Sequence, residues 1–255
     1  MIRKVCLPVV ILLAAVSSLS AQTVDEIIAK NVQARGGAEK LKGVQTVKST
    51  ATMTMGGMEV PGTMIQKRPT LMRAEFTVQG LTAVQAYDGK DAWQIMPFMG
   101  KKDPELMSAD EAKEIQDNAD VDGPLMDYKN KGNQVELQGK EKIEGTDAYK
   151  LKVTLKNGDV QTLYLDADSF LEIKEVTKRT IRGTEQEVES SIGDYKEVNG
   201  ILFPFAVESG VKGTDQKQKI TISKVELNVP ADDSIFKMPP AAPKADAPKP
   251  DQPKN

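Results

Sequence analysis

Gln66-Lys67-Arg68-Pro69-Thr70-Leu71-Met72-Arg73-Ala74-Glu75-Phe76, followed on the way to Gly100 by Tyr87-Asp88-Gly89-Lys90-Asp91-Ala92-Trp93-Gln94-Ile95-Met96-Pro97, is the stretch that decides the fold. Successive side chains of a strand point to opposite faces. Met72, Ala74, Phe76 and Val78 therefore share an apolar face, while Leu71, Arg73, Glu75, Thr77 and Gln79 make a mostly wet one. Met58, Val60, Gly62 and Met64 form a similar apolar row on the preceding strand, and Arg68 has the same parity just before Pro69 stops the ladder. A cation thus stands at the rim of an apolar face. Asp88-Gly89 is a two-residue hairpin signal leading into a strand that carries Trp93 and Ile95 on one side.

Toward the N-terminus, Thr23-Val24-Asp25-Glu26 is a capping box. Val24, Ile27, Ile28 and Val32 then recur at helical spacing until Gly36-Gly37. A short turn through Leu41 and Gly43 follows. Val47, Ser49, Ala51, Met53 and Met55 alternate with polar residues up to Gly56-Gly57, a hairpin into the Met58–Arg68 strand. Pro61 inside that strand predicts an edge or a bulge.

Toward the C-terminus the alternation stops at Pro97. The one regular piece between Phe98 and Lys131 is a helix opened by a second capping box, Ser108-Ala109-Asp110-Glu111. Its stripe, Ala109, Ala112, Ile115 and Ala119, consists mostly of small residues, so it buries little. Such a helix suits a lid over a groove, or a plain surface helix. From Asn133 onward short strands return at even spacing, with Asn157-Gly158 as the clearest hairpin turn. About eleven strands are expected, in a mainly β fold with helices. Nothing divides residues 22–238 into more than one domain.

The two ends read differently. Arg3, Lys4, the apolar run Cys6–Val16 and the small residues Ser17 to Ala21 have the form of an export leader, cut after Ser20 or Ala21. The apolar run falls short of the roughly 18 residues of a membrane span. Residues 239–255 carry six prolines among Ala, Lys and Asp, which predicts a flexible tail without a core.

Composition excludes several chemistries. The chain of 255 residues has no histidine, and its single cysteine, Cys6, lies in the leader. Thiol nucleophiles, Ser-His-Asp triads, disulfides and ordinary zinc sites are thereby ruled out of the exported part. The formal charge of -3 becomes -5 once Arg3 and Lys4 are removed, which argues against general affinity for nucleic acid or anionic membrane. Asn118-Ala119-Asp120-Val121-Asp122-Gly123 copies the front of a calcium loop, but Lys129 stands where the bidentate Glu belongs; it reads as a solvated acidic turn. The pairs Asp166 with Asp168 and Asp232 with Asp233 lie in turn-like settings where Asp is common. No metal, cofactor or catalytic residue is expected.

Nine of the eleven methionines fall between Met53 and Met126, while aromatic residues make up only 5% of the chain. Methionine suits a surface that fits ligands of varied shape, and it is also a common core filler. One broad sheet with few aromatics and two modest helices to cover it favours a cavity. The candidate lining is Met53, Met55, Met58, Met64, Met72, Phe76, Trp93 and Ile95, with Arg68 and Ile115 as candidate lid contacts.

Lys67-Arg68-Pro69-Thr70-Leu71, then Asp88-Gly89-Lys90, Trp93 and Pro97, and finally Asn228-Val229-Pro230 with Asp232-Asp233-Ser234-Ile235-Phe236 and Pro239, resemble the LolA/LolB type of lipoprotein carrier and sorting proteins. The resemblance runs from about Val24 to Pro239. It implies an unclosed antiparallel β-barrel covered by helices and holding acyl chains. It also implies that Arg68 helps to fasten a closed lid. The function expected on that basis is a monomeric, non-enzymatic periplasmic carrier of lipoprotein acyl chains or other lipids toward the outer membrane, served by an inner-membrane donor and an outer-membrane acceptor. A periplasmic sensory or regulatory module binding lipoprotein or a signalling protein is the alternative. The length, the Pro-rich tail and the acidic insert from Asp110 to Asp122 depart from the simplest carriers and leave the cargo open.

Overall fold

The computed structural model describes residues 22–181 and 183–240; the expected leader, and the expected tail from residue 241 on, lie outside the described residues. Thirteen strands form one antiparallel sheet: β1 (Thr46–Met55), β2 (Met58–Lys67), β3 (Leu71–Val78), β4 (Leu81–Tyr87), β5 (Ala92–Met96), β6 (Lys101–Leu106), β7 (Gln134–Ile143), β8 (Thr146–Thr154), β9 (Val160–Asp166), β10 (Glu172–Ile181), β11 (Thr184–Val198), β12 (Ile201–Val211) and β13 (Lys217–Leu227). The spatial order is β6-β5-β4-β3-β2-β1-β13-β12-β11-β10-β9-β8-β7. Two meanders are thus joined where the first strand meets the last, Val47 opposite Leu227 and Met53 opposite Ile220. Strands β6 and β7 are the free edges, so the barrel is unclosed.

Among the described residues four α-helices accompany the sheet: α1 (Val24–Ala34), α2 (Ala38–Gly43), α3 (Ala109–Asn118) and α4 (Tyr128–Lys131). Both expected capping boxes are formed, Thr23 with Glu26 and Ser108 with Glu111. Helix α1 lays Ile27 and Ile28 on Leu151, Leu163 and Leu165 of β8 and β9. Its end is pressed against the β11–β12 turn: at Gly36, with φ +128, an added Cβ would lie 2.4 Å from the Gly200 carbonyl. Only glycine fits that approach. The stretch through Leu41, read as a turn, is the short helix α2, and Leu41 joins Val44, Val47, Met126 and Phe205 in a second cluster.

Two strand expectations are corrected. Lys101–Leu106 was expected to be irregular but is β6, paired with β5 through Trp93–Leu106 and Gln94–Glu105. It is an edge strand, where Pro104 and unpatterned charges are tolerated because one side needs no partner. Pro61 was expected to mark an edge or a bulge, yet β2 lies inside the sheet with Pro61 opposite Thr52. Pairing of β2 with β3 begins only at Gly62, opposite Phe76, so the missing N–H of Pro61 falls where that ladder has ended.

Candidate functional site

Cross-strand partners share a face, so the register traces one apolar surface across the first meander. Met64 lies opposite Ala74, Gln66 opposite Met72, and Met72 opposite Tyr87. Met53 lies opposite Val60, and Met55 opposite Met58. Helix α3 rests on this surface, with Ile115 and Ala119 packed on Met72 and flanked by Met64, Ala74 and Tyr87. Of the expected stripe, Ala112, Ile115 and Ala119 are buried and Ala109 is exposed. The hold is slight: about 1.5–3 kcal/mol for an isoleucine and about 0.8 for each alanine methyl.

Polar clips hold the rest of the segment. Asp117 receives Arg179 of β10 at 2.7 Å and Gln161 of β9 at 3.3 Å. Lys113 donates to Asp159 at 3.0 Å, and Gln66 of β2 donates to the Asn118 carbonyl at 2.5 Å. Beyond α3, Lys131 bridges Asp120 and the Gly123 carbonyl. The connector between the two meanders is thereby fastened to both halves of the sheet.

The strongest clip is Arg68. Its two terminal nitrogens meet the two oxygens of Asp122 at 2.5 and 2.6 Å, while Nε donates to the Val44 carbonyl and Nη2 to the Leu41 carbonyl. One guanidinium therefore ties the loop after α3 to the end of α2, using its planar fork as a lysine could not. Burial pushes the Asp122 carboxyl up, but the hydrogen bonds and charge of Arg68 outweigh this and hold it below the usual range. Arg35 adds a bond to the Asp122 carbonyl. The expectation of a solvated acidic turn at residues 118–123 is overturned, because Asp122 is 8% exposed and fully engaged. Sequence reasoning missed it, since an aspartate in a Gly-Pro loop is an unremarkable surface residue until its partner is known.

A cavity of about 1030 Å³ borders α3, lined by Gln116 and Asp117 of the helix and by Arg68, Asp120, Asp122, Leu155 and Gln161. Deeper along β10, Glu172 lies opposite Leu165 and Glu175 opposite Leu163, which turns both carboxyls to the leucine-lined inner face. Burial raises Glu172 to about 8, reinforced by Glu175 and opposed by Arg35; burial likewise raises Glu175. The Tyr195 hydroxyl donates to the Glu172 carbonyl at 2.9 Å. Sequence reasoning missed this pair as well. A register shift between Glu172 and Lys174 breaks the alternation that would have revealed their face.

The expected lining divides into three groups. Met64 and Met72 lie beneath α3 with Ile115. Met53, Met55, Met58 and Phe76 continue the same face beyond the helix and are partly or largely exposed. Trp93 and Ile95 are on the opposite face: they pair with Ala86 and Val84, and Trp93 is 1% exposed beneath the C-terminal segment, donating to the Phe236 carbonyl at 2.7 Å. Of the two expected lid contacts, Ile115 packs on the floor, whereas Arg68 grips the loop after α3 rather than the helix itself. Among the described residues there is no group of three acidic, His or Cys side chains placed to hold a metal, and no helix long and apolar enough to cross a membrane.

No family model and no curated protein matches the sequence. Solved structures do match. The chain is similar to a DUF1329 family protein from Desulfovibrio piger, with TM-score 0.58 and 16% identity over 84% of this chain and 97% of that one. It is also similar to a LolA superfamily protein from Nitrosomonas europaea, with TM-score 0.58 and 15% identity over 85% and 98%. A third is a candidate outer membrane lipoprotein-sorting protein domain from Vibrio parahaemolyticus, with TM-score 0.56 and 12% identity over 82% and 94%. The chain has a LolA-like fold: mainly β, antiparallel and not closed.

Proposed function

We propose that this protein is a periplasmic carrier that takes acyl chains of lipoproteins or other lipids into its concave face and moves them toward the outer membrane, without catalysing a reaction. The observation that carries the proposal is the position of α3. It covers an apolar floor at Met64 and Met72 while Gln116 and Asp117 line a cavity of about 1030 Å³, and it is held by one isoleucine, two alanines and polar clips. Pockets for small ligands span about 300–1,000 Å³, so the space is already large before α3 moves. Displacing α3 would join the cavity to the floor, expose a greasy trough and return the clip residues to water.

The energetics suit a carrier. Each methylene taken from a membrane into water costs about 0.8 kcal/mol, on the order of 10 kcal/mol for one long chain. An apolar trough removes most of that barrier. Release is equally necessary, and a helix that competes with an acyl chain for the same floor supplies it. The fold supports the same reading through its likeness to LolA-like proteins.

Native mass spectrometry of the protein purified from its own periplasm, followed by solvent extraction, tests the proposal. Bound acyl species that disappear when Met72→Glu is introduced are the expected result. An empty protein that takes up no added lipid and instead holds a protein partner would overturn it in favour of a regulatory module.

A further inference from the structure

Eight large apolar residues are exposed among the described residues, and five of them lie on three neighbouring hairpin tips: Met55 and Met58, Leu81, and Phe98 with Met99. The β1–β2, β3–β4 and β5–β6 hairpins alternate along the sheet with the β2–β3 and β4–β5 connections, so all three tips leave the same end. Met99 is 66% exposed and Met55 58%, values that a core-filling methionine would not have.

These tips are not isolated from the trough. Met55 and Met58 end the rows that begin at Met53 and at Met64, and Leu81 lies opposite Val78 at the end of the Phe76 row. Phe98 leans on Phe76, ring centroids 6.1 Å apart. An apolar track therefore runs from the floor beneath α3 to the exposed tips. The tips themselves, Met55–Met58, Gln79–Leu81 and Pro97–Gly100, carry no charge; Glu59, Lys101, Lys102 and Lys219 stand just behind them. Because pairing of β2 with β3 starts only at Gly62, the β1–β2 hairpin projects as a prong separate from its neighbour.

We propose that this end of the sheet is a membrane-docking rim, its three tips entering the outer layer of a lipid bilayer while the charges behind them sit at headgroup depth. The occupant follows from the shape. Separate apolar prongs leave gaps that a fluid acyl phase fills, whereas a folded partner would need a continuous patch. The inference rests on the carrier reading for its purpose, since a docked rim would let an acyl chain slide from bilayer to trough without crossing water.

The chain from Gln22 onward contains no cysteine, so one label can be placed at will. Met99→Cys and Leu81→Cys, each carrying a polarity-sensitive fluorophore, are mixed with phosphatidylcholine vesicles prepared with and without phosphatidylglycerol, with Lys90→Cys, exposed in the β4–β5 turn at the other end of the same strands, as the control. The expected result is a blue shift at both tips and none at Lys90, and a loss of vesicle affinity of about tenfold or more in the Met58→Gln/Met99→Gln double variant. A shift only with phosphatidylglycerol would still support docking and would assign the charges behind the tips a part in it. No shift at the tips with either vesicle, an equal shift at Lys90, or undiminished binding by the double variant would overturn the rim. Uptake of a soluble short-chain fatty acid separates this from the carrier proposal: normal uptake without docking refutes the rim alone, and docking without uptake refutes the carrier alone.

Discussion

Arg68 and Asp122, 54 residues apart in sequence, meet through two parallel N–H···O contacts of 2.5 and 2.6 Å, and the same guanidinium also caps the Leu41 and Val44 carbonyls at the end of α2. A pair this enclosed is costly to break from one side, because the remaining carboxylate keeps its burial and loses its compensation. Arg68→Ala should therefore destabilise the fold by about 2–4 kcal/mol, and Arg68→Lys by less but not by zero. Asp122→Asn added to Arg68→Ala should recover part of the loss. Thermal melts of the four proteins supply the stabilities. If the pair also latches the connector, the uptake and release rates of a fluorescent fatty acid should rise in Arg68→Ala; unchanged rates would remove its role as a latch.

Helix α3 should be the least stable part of the inner layer, since Ile115 is its one large buried apolar side chain. Ile115→Ala should speed hydrogen exchange throughout Ala109–Asn118 while moving the global melting temperature little, because losing one side chain frees a local unit before it unfolds the sheet. Leu163→Ala, at the centre of the α1–β8–β9 cluster, should do the reverse and cost about 2–5 kcal/mol globally. A large global loss from Ile115→Ala would mean that α3 is part of the core and not a cover.

The outer face makes a separate claim. Trp93 holds the Phe236 carbonyl, Arg73 holds the Ile235 carbonyl, and the Phe236 side chain is fully buried. Phe236→Ala should red-shift the emission of the single tryptophan and lower stability by about 3–5 kcal/mol. Acyl-chain affinity should stay within about twofold of the parent, because this packing is on the far side of the sheet from Met72. A tenfold loss would place Trp93 in the ligand path after all.

Much of this architecture was legible because alternation and turn chemistry agree where the sheet is regular. The Met72–Val78 row, the Gly56-Gly57 turn and both capping boxes needed no tertiary information, whereas the hairpin expected at Asp88-Gly89 turns over the four residues between Tyr87 and Ala92. Trp93 and Ile95 could be placed on one face together, but which face depended on the register of β4 with β5. Asp122 and Arg68 were harder still: each is an ordinary polar residue whose meaning arises only when the connector folds back across the sheet. Strand β6 was hidden because an edge strand carries little pattern of its own.

Glu172 turns the inner face into a pH-dependent element of stability. Its carboxyl, partly buried beside Glu175 and facing the leucines of β9, holds its proton to about pH 8 in the folded protein, whereas an unfolded chain would release it near 4.5. The folded state therefore binds the extra proton between those values, and stability falls as pH rises through that window before levelling above it. Glu175, raised in the same direction, adds to the slope; Arg35 and Arg179 oppose it. Glu172→Gln should match the parent in melting temperature near pH 4.5 and exceed it by several degrees at pH 9, with a flatter but still sloping profile between because Glu175 remains. Melts across this range decide the matter: a variant no more stable than the parent at pH 9 would mean that Glu172 ionises freely in water, and that the inner face beside β10 is open to solvent rather than enclosed.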